Sequence, residues 1–231
     1  MQEIQRALQE VGSTLREGVA LLAVSKTHPS EYIQEAYDAG QRDFAENKVQ
    51  ELQSKVEVLP KDIRWHFIGH LQTNKVKYIV PYIHLIHTVD SMRLLQTISK
   101  EVVKFNTANN SQRVVDVLLE VHIAQEETKS GLSIDELEEL LKEWVASPLE
   151  GIRIRGLMAM ASNTDDMVQV EGEFEQMNQL KQKVKATYFA DDDKFDQLSM
   201  GMSGDYMLAQ KHGSTMVRVG SRIFGARDYS K

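Results

Sequence analysis

Short apolar runs alternate with longer segments of helical periodicity along almost the whole chain. The runs are mostly continuous, which is typical of parallel strands covered on both faces. They predict eight strands, at 19–27, 43–47, 64–69, 85–90, 115–123, 152–160, 197–201 and 216–221. Strands that alternate with helices are joined by right-handed parallel crossovers. The alternation therefore restricts the chain to an α/β fold with a parallel sheet.

Length favours a closed form of that sheet. The chain has 231 residues, and a (β/α)8 barrel typically has about 250. No Gly-x-Gly-x-x-Gly follows the first predicted strand, which disfavours an open dinucleotide-binding sheet. One further amphipathic segment precedes the first strand, and its apolar face consists of Ile4, Leu8, Val11 and Leu15. We predict a single (β/α)8 TIM barrel domain over residues 1–231 with an additional N-terminal helix.

Several connections have local signals. The pair Ser133 and Glu136 has capping-box spacing and predicts the start of the helix after the fifth strand. A helix is also predicted near 74–80. The polar segments 106–112 and 190–194 predict loops, and in the second of them three consecutive aspartates are typical of a solvated turn.

Composition excludes several classes of function. The net charge of −7 argues against a general nucleic-acid or anionic-membrane surface. The absence of cysteine excludes disulfides and thiolate chemistry and is compatible with a reducing compartment. No apolar run reaches the length of about 18 residues that spans a bilayer, and the N-terminal segment is unlike a signal peptide. We expect a cytoplasmic protein.

Lys26 ends the first predicted strand, where a barrel would place active-site residues. Lysine is rarely buried unless it is paired or chemically used. A neutral amine in a desolvated pocket can react with an aldehyde. The alternative is a lysine whose ammonium group reaches solvent, and for an arbitrary lysine at a strand end this alternative is favoured.

Glycine and serine follow both of the last two predicted strands, with Ser203 in one loop and Gly220 and Ser221 in the other. These loops form the usual phosphate site of a (β/α)8 barrel, because glycine lets backbone amides approach an anion and serine adds a hydroxyl. Ordinary turn chemistry is the alternative. Combined with Lys26, the loops indicate a phosphorylated carbonyl ligand. An aldolase or isomerase without an organic cofactor is one class that fits.

Three other strand-end residues are candidates for ligand contacts. Arg218 shares a face of the last strand with Gly220. If that face points inward, Arg218 lies under the ring of a bound ligand; taken alone, an internal salt bridge is favoured. Met158 can fill the core or pack on a ring, and Asn47 ends the second strand. The spacing of the histidines at 66, 70, 84 and 87 does not support a metal site.

Seven ordered motifs lie at 23–27, 44–47, 65–75, 129–131, 156–160, 198–203 and 214–227. Among them, Trp-His-Phe-Ile-Gly at 65–69 is a highly specific signature. Together the motifs resemble those of a known family, the pyridoxal-phosphate homeostasis proteins of the YggS/PROSC type, and the similarity extends from about residue 19 to the C-terminus. The resemblance implies a fold-type III barrel, similar to the N-terminal domain of alanine racemase.

The resemblance also implies pyridoxal 5′-phosphate (PLP) bound as an internal aldimine on Lys26, with Arg218 facing the pyridine nitrogen. It implies Asn47 and Met158 near the ring. The phosphate is then expected at Ser203, Gly220 and Ser221.

Two positions depart from the family pattern, and one further position matches it. His28 stands where many relatives carry a second lysine, and Lys48 stands where tyrosine is frequent. The cofactor-exchange role proposed for that second lysine therefore does not carry over to this chain. Lys129 matches a family lysine that is linked to cofactor handling.

Two further expectations separate a carrier from an enzyme. The sequence ends at Lys231, without a second β-domain like the one that gives alanine racemase its opposing tyrosine. A permanently charged Arg218 would leave the ring nitrogen unprotonated, which weakens the ring as an electron sink. We therefore expect storage, buffering or delivery of PLP by a monomer with little or no catalysis, and PLP-dependent apoenzymes as recipients. A monomeric amino-acid racemase is the alternative.

Overall fold

The computed structural model describes residues 2–126 and 130–225, and within them eight parallel strands close into a barrel. The strands are β1 Ala20–Val24, β2 Asp43–Glu46, β3 Arg64–Phe67, β4 Ile83–Val89, β5 Val115–Val121, β6 Ile152–Ala159, β7 Gln197–Met202 and β8 Met216–Val219. Each strand pairs with its neighbour in the sequence, and β8 returns to β1, where Arg218 lies opposite Leu22. The predicted fold class is confirmed.

Helices surround the barrel and connect its strands. They are α1 Gln2–Gly12, α2 Ser30–Asp38, α3 Val49–Val58, α4 Met92–Asn109, α5 Ile134–Ala146, α6 Met167–Tyr188, α7 Tyr206–Ala209 and α8 Ser221–Phe224, with 3₁₀ helices at Thr73–Tyr78 and Gln210–His212. The predicted N-terminal helix is α1, which packs against α2 and α8. None of the helices in the described part of the chain is long and apolar enough to cross a membrane.

Alternate residues of each strand face two different surroundings. Ala23 and Phe44 pack outward in the large cluster that joins the strands to the helices. Leu22, Val24 and Ala45 form a separate cluster, as expected for the opposite, inner face of the same strands. Lys26 follows Leu22 and Val24 of this inner face, two residues beyond the end of β1.

The structure corrects two predicted boundaries and one predicted helix type. Strand β1 ends at Val24 rather than at residue 27, so that Lys26 lies in the turn beyond it. The helix predicted near 74–80 is a 3₁₀ helix. The loop predicted at 106–112 is helical as far as Asn109, because the Asn106 carboxamide accepts hydrogen bonds from Ser111 Oγ at 2.8 Å and Arg113 N at 2.9 Å and so stabilises the helix end.

The capping-box prediction is confirmed. Ser133 Oγ accepts a hydrogen bond from Glu136 N at 3.2 Å, and Glu136 Oε2 accepts one from Ser133 N at 2.8 Å. Two amides that the helix itself cannot satisfy are thereby paired. This fixes the start of α5 beside the C-terminal end of β5.

Candidate functional site

A pocket of about 250 Å³ lies at the C-terminal mouth of the barrel. It is somewhat smaller than the roughly 300–1,000 Å³ typical of drug-sized ligands, which suits a compact one. Six of the seven residues predicted for the site line it, namely Lys26, Met158, Ser203, Arg218, Gly220 and Ser221. Residues from β1, β6, β7 and β8 and from the turns that follow them therefore meet at one place, although 192 positions separate Lys26 from Arg218.

Asn47 does not line this pocket. It lies in a neighbouring depression of about 180 Å³, which Lys48, His70 and Lys75 also line. Its Oδ1 is buried and has no hydrogen-bond partner within the described ranges. An unpaired amide oxygen at such a position is costly, so Asn47 retains capacity for one further contact.

The loops after β7 and β8 are joined directly to each other. Ser203 Oγ accepts a hydrogen bond from Gly220 N at 3.2 Å, and Ser203 O accepts one from Arg222 Nε at 2.6 Å. A Cβ at Gly220 would lie only 3.0 Å from Val24 O, so a glycine allows the end of β8 to approach the end of β1 closely. The two loops and the Lys26 turn form one continuous rim.

A buried ionic cluster, formed by Ser25, Glu46, Glu51 and Lys55, lies directly behind Lys26. Lys55 Nζ donates hydrogen bonds to Glu46 Oε1 at 2.7 Å, to Glu51 Oε1 at 2.7 Å and to Ser25 O at 2.9 Å. Ser25 Oγ donates to Glu46 Oε1 at 2.6 Å. Glu46 is fully buried, and this burial raises its pKa to about 7.

The ionic cluster controls the backbone on both sides of Lys26. On one side, Ser25 is bonded through its carbonyl and its hydroxyl. On the other, Thr27 N donates to Glu51 Oε1 at 2.6 Å, and Thr27 has a left-handed φ of 68°. That conformation is strained for a β-branched residue and persists only where the surroundings enforce it. The half-buried Lys26 side chain therefore extends from a turn whose backbone conformation is fixed on both sides.

Arg218 is a buried cation held by neutral groups. Its Nη1 donates to Ser199 O at 2.9 Å and to Ser199 Oγ at 2.7 Å, and its Nη2 donates to Ala159 O at 2.9 Å. Asp205 and Glu120 act on it only through their charge, and its hydrogen-bond partners among residues 2–126 and 130–225 are Ser199 and Ala159, so the internal salt bridge favoured for this residue alone is not observed. Burial lowers the pKa of Arg218 to about 10, which leaves it charged at neutral pH.

Two histidines that the sequence does not connect are in direct contact inside the barrel. His66 Nδ1 and His87 Nε2 are 2.9 Å apart, and both side chains are buried. Burial lowers the pKa of each imidazole. The sequence contained one signal for this contact: both histidines occupy positions on neighbouring strands, β3 and β4, whose side chains point into the barrel. The described residues contain no group of three or more histidine, aspartate or glutamate side chains that could hold a metal ion.

The two departures from the family pattern lie in different places. His28 is buried between aromatic rings, with its centroid 6.0 Å from that of Tyr32 and 5.2 Å from that of Phe224. Lys48 is exposed beside Asn47. Lys129 lies outside the described residues.

Comparison with known proteins identifies the class to which this barrel belongs. The family model of the alanine racemase N-terminal domain matches residues 1–228. Alanine racemase from E. faecalis has the same fold, with a TM-score of 0.73 over 97% of this chain and 58% of that chain, at 16% sequence identity. The protein is thus a barrel of the alanine racemase N-terminal type.

Closer relatives narrow this class. The pyridoxal phosphate homeostasis protein of Vibrio alginolyticus is 38% identical over the whole of both chains, and that of Escherichia coli K12 is 40% identical over 93% of this chain and 88% of the relative. The structure of PipY from Synechococcus elongatus with PLP bound has a TM-score of 0.84 and 34% identity, covering 96% of this chain and all of that one. The chain belongs to the pyridoxal phosphate homeostasis protein family, which confirms the resemblance found in the sequence.

Proposed function

We propose that this protein binds pyridoxal 5′-phosphate at the barrel mouth and acts in its homeostasis, by storing, buffering or delivering it. One observation carries the proposal: an amine, two glycine–serine loops and a buried cation line the same pocket. These groups match the three polar ends of PLP, which are an aldehyde, a phosphate and a ring nitrogen. The names of the relatives and the PLP-bound PipY structure support the same function.

When bound, PLP supplies an aldehyde that condenses reversibly with a primary amine and releases one water molecule. In our proposal Lys26 provides that amine, because among the described residues it is the lysine that lines the pocket. The ionic cluster fixes the turn from which its side chain extends, which reduces the conformational entropy that attachment would cost. Covalent attachment would mask the aldehyde from other amines in the cell.

The loops after β7 and β8 are proposed to bind the phosphate. Ser203 Oγ already accepts a hydrogen bond from Gly220 N, so its own proton remains available for an anion. Ser221 adds a second hydroxyl at the start of α8. Met158 contributes an apolar wall, and Asn47 would use its unpaired Oδ1 at the margin of the site.

Arg218 is proposed to contact the ring nitrogen and to limit catalysis there. A guanidinium group only donates hydrogen bonds, so it would face an unprotonated nitrogen. An unprotonated ring withdraws electrons less strongly from the reacting centre. The names of the curated relatives refer to homeostasis and not to a reaction, and little or no catalysis is part of our proposal.

The remaining parts of the proposal concern partners and location. We propose PLP-dependent apoenzymes as recipients, a monomeric state and a cytoplasmic site of action. Size-exclusion chromatography with light scattering tests the monomer, and a dimer at micromolar concentration would refute it. Transfer of the cofactor to an added apoenzyme, faster than its release into buffer, tests delivery.

Borohydride reduction followed by peptide mapping tests the central assignment. We expect the purified protein to be yellow and the reduced adduct to lie on Lys26, with no adduct in Lys26→Ala. Lys48→Ala is the matched control, because this exposed lysine lies outside the pocket. An adduct on another lysine would refute the assignment, and sustained turnover of an L- or D-amino acid would favour the racemase alternative.

A further inference from the structure

Polar side chains form a continuous chain through the interior of the barrel, from the mouth to the opposite face. It begins at Arg218, whose Nη1 is 2.7 Å from Ser199 Oγ. Ser199 Oγ is 3.0 Å from His87 Nδ1, and His87 Nε2 is 2.9 Å from His66 Nδ1. His66 Nε2 is 3.1 Å from Asp43 Oδ1. Asp43 is the first residue of β2, so the chain ends at the N-terminal face of the barrel.

The Asp43 carboxylate and the neutral state of both imidazoles determine the direction of every hydrogen bond between Asp43 and Arg218. Burial disfavours the charged form of both imidazoles. A carboxylate only accepts, so His66 carries its proton on Nε2 and accepts at Nδ1 from His87 Nε2. His87 Nδ1 then carries no proton and accepts from the Ser199 O–H, while Ser199 Oγ accepts from Arg218, which can only donate.

The other contacts of Arg218 explain why this direction is important. Its remaining described partners are backbone carbonyls, those of Ser199 and Ala159. The Ser199 hydroxyl is therefore the adjustable acceptor in its surroundings, since a hydroxyl can rotate and a strand carbonyl cannot. When the Ser199 hydroxyl donates its proton to His87, its rotation is fixed, and its lone pairs stay directed at the Arg218 guanidinium. Aligned hydrogen bonds of this kind polarise one another and strengthen the whole chain.

We propose that His87 and His66 are positioning residues that act through Ser199 to hold the Arg218 guanidinium in one orientation toward the pocket. The proposal rests on the proposed function, because it gives this orientation a purpose at the PLP ring. Asp43 sets the tautomer of His66, which sets that of His87 and hence the rotor of Ser199. A carboxylate at one face of the barrel thus determines how a cation is presented at the other.

Imidazole ¹⁵N NMR of the apoprotein tests the direction of the chain without any cofactor. We expect His66 and His87 to be neutral at pH 7 and both protonated on Nε2. An Nδ1–H tautomer or a protonated ring at either residue would overturn the proposal.

The loaded protein tests the effect on Arg218. We expect Ser199→Ala to shift the absorption maximum of bound PLP and to weaken its retention about tenfold, and His87→Phe to shift the maximum in the same direction. Ser214→Ala is the matched control, because Ser214 is also buried but donates to backbone carbonyls and is not part of the hydrogen-bond series from Arg218 to Asp43. A spectrum in Ser199→Ala identical to that of the wild type would refute the proposal.

The outcomes separate this inference from the proposed function. A wild-type protein that takes up no PLP would refute the proposed function. It would also remove the purpose assigned to the hydrogen-bond series, which is to orient Arg218 toward the PLP ring. A wild-type protein that takes up PLP, with variant spectra that do not change, would refute the inference alone. Thermal denaturation of each variant shows whether a loss of PLP retention comes from unfolding instead.

Discussion

Glu46 gives the most specific test of how the turn carrying Lys26 is built. Its carboxylate is fully buried, Oε2 has no partner within the described ranges, and burial raises its pKa from 4.5 to about 7. Between these two pH values the folded protein keeps a proton that the unfolded chain has lost. Rising pH therefore lowers the free energy of unfolding across this window and has no further effect through Glu46 above it.

The size of the effect follows from the two pKa values of Glu46. They differ by about 2.5, and each pH unit corresponds to about 1.4 kcal/mol, so the expected loss is about 3 kcal/mol between pH 4.5 and pH 7.5. Glu46→Gln removes the titration and keeps an oxygen that can accept from Ser25 and Lys55. The stability of the variant relative to the wild type should thus rise by about 3 kcal/mol across the window.

Urea denaturation at a series of pH values measures this difference, with the fluorescence of the buried Trp65 as the probe. Glu139→Gln, at an exposed position on α5, provides the control for replacing a glutamate by glutamine. If the difference between the wild type and Glu46→Gln were constant with pH, Glu46 would not hold a proton in the folded state. The account of the ionic cluster would then be wrong.

Three further substitutions test other parts of the structure. Arg218→Ala should shift the absorption maximum of bound PLP but change the free energy of unfolding by less than about 2 kcal/mol, because a buried cation held by carbonyls contributes little net stability; an unchanged spectrum would remove Arg218 from the ring contact. Gly69→Ala should lower the free energy of unfolding by at least about 1–3 kcal/mol in thermal denaturation, because its Cβ would lie 2.1 Å from Asn47 O. Gly12→Ala is the control, because the space around Gly12 is open. Equal effects of the two substitutions would contradict this reason. Ser133→Ala should cost about 1 kcal/mol in urea denaturation through loss of the capping box, and no loss would show that the start of α5 is fixed by other contacts.

Sequence patterns predicted the strands well because a strand that is buried on both faces is a continuous run of apolar residues. All eight predicted strands overlap observed ones. The end of β1 was predicted too late, because the conformation of Ser25 and Thr27 depends on Lys55 and Glu51, which come from α3. No pattern local to β1 contains that information.

Contacts across the barrel set a similar limit for the candidate site. Lys26, Ser203 and Gly220 could be predicted because strand ends of a barrel converge by topology. The contact between His66 and His87 could not, since it depends on the register of β3 against β4, where a bulge between Trp65 and His66 shifts the pairing. The sequence suggested only that these histidines were unsuited to a metal.

The pairing of β1 with β8 has a consequence for the newly made protein. Lys26 leaves the ribosome 192 residues before Arg218, which at roughly 5–20 residues per second is a delay of about 10 to 40 s. Throughout that interval the nascent chain carries the amine without the loops and the guanidinium that complete the pocket. Specific uptake of the cofactor must therefore wait for the last strand, and acquisition of colour during synthesis would mark the moment at which the barrel closes.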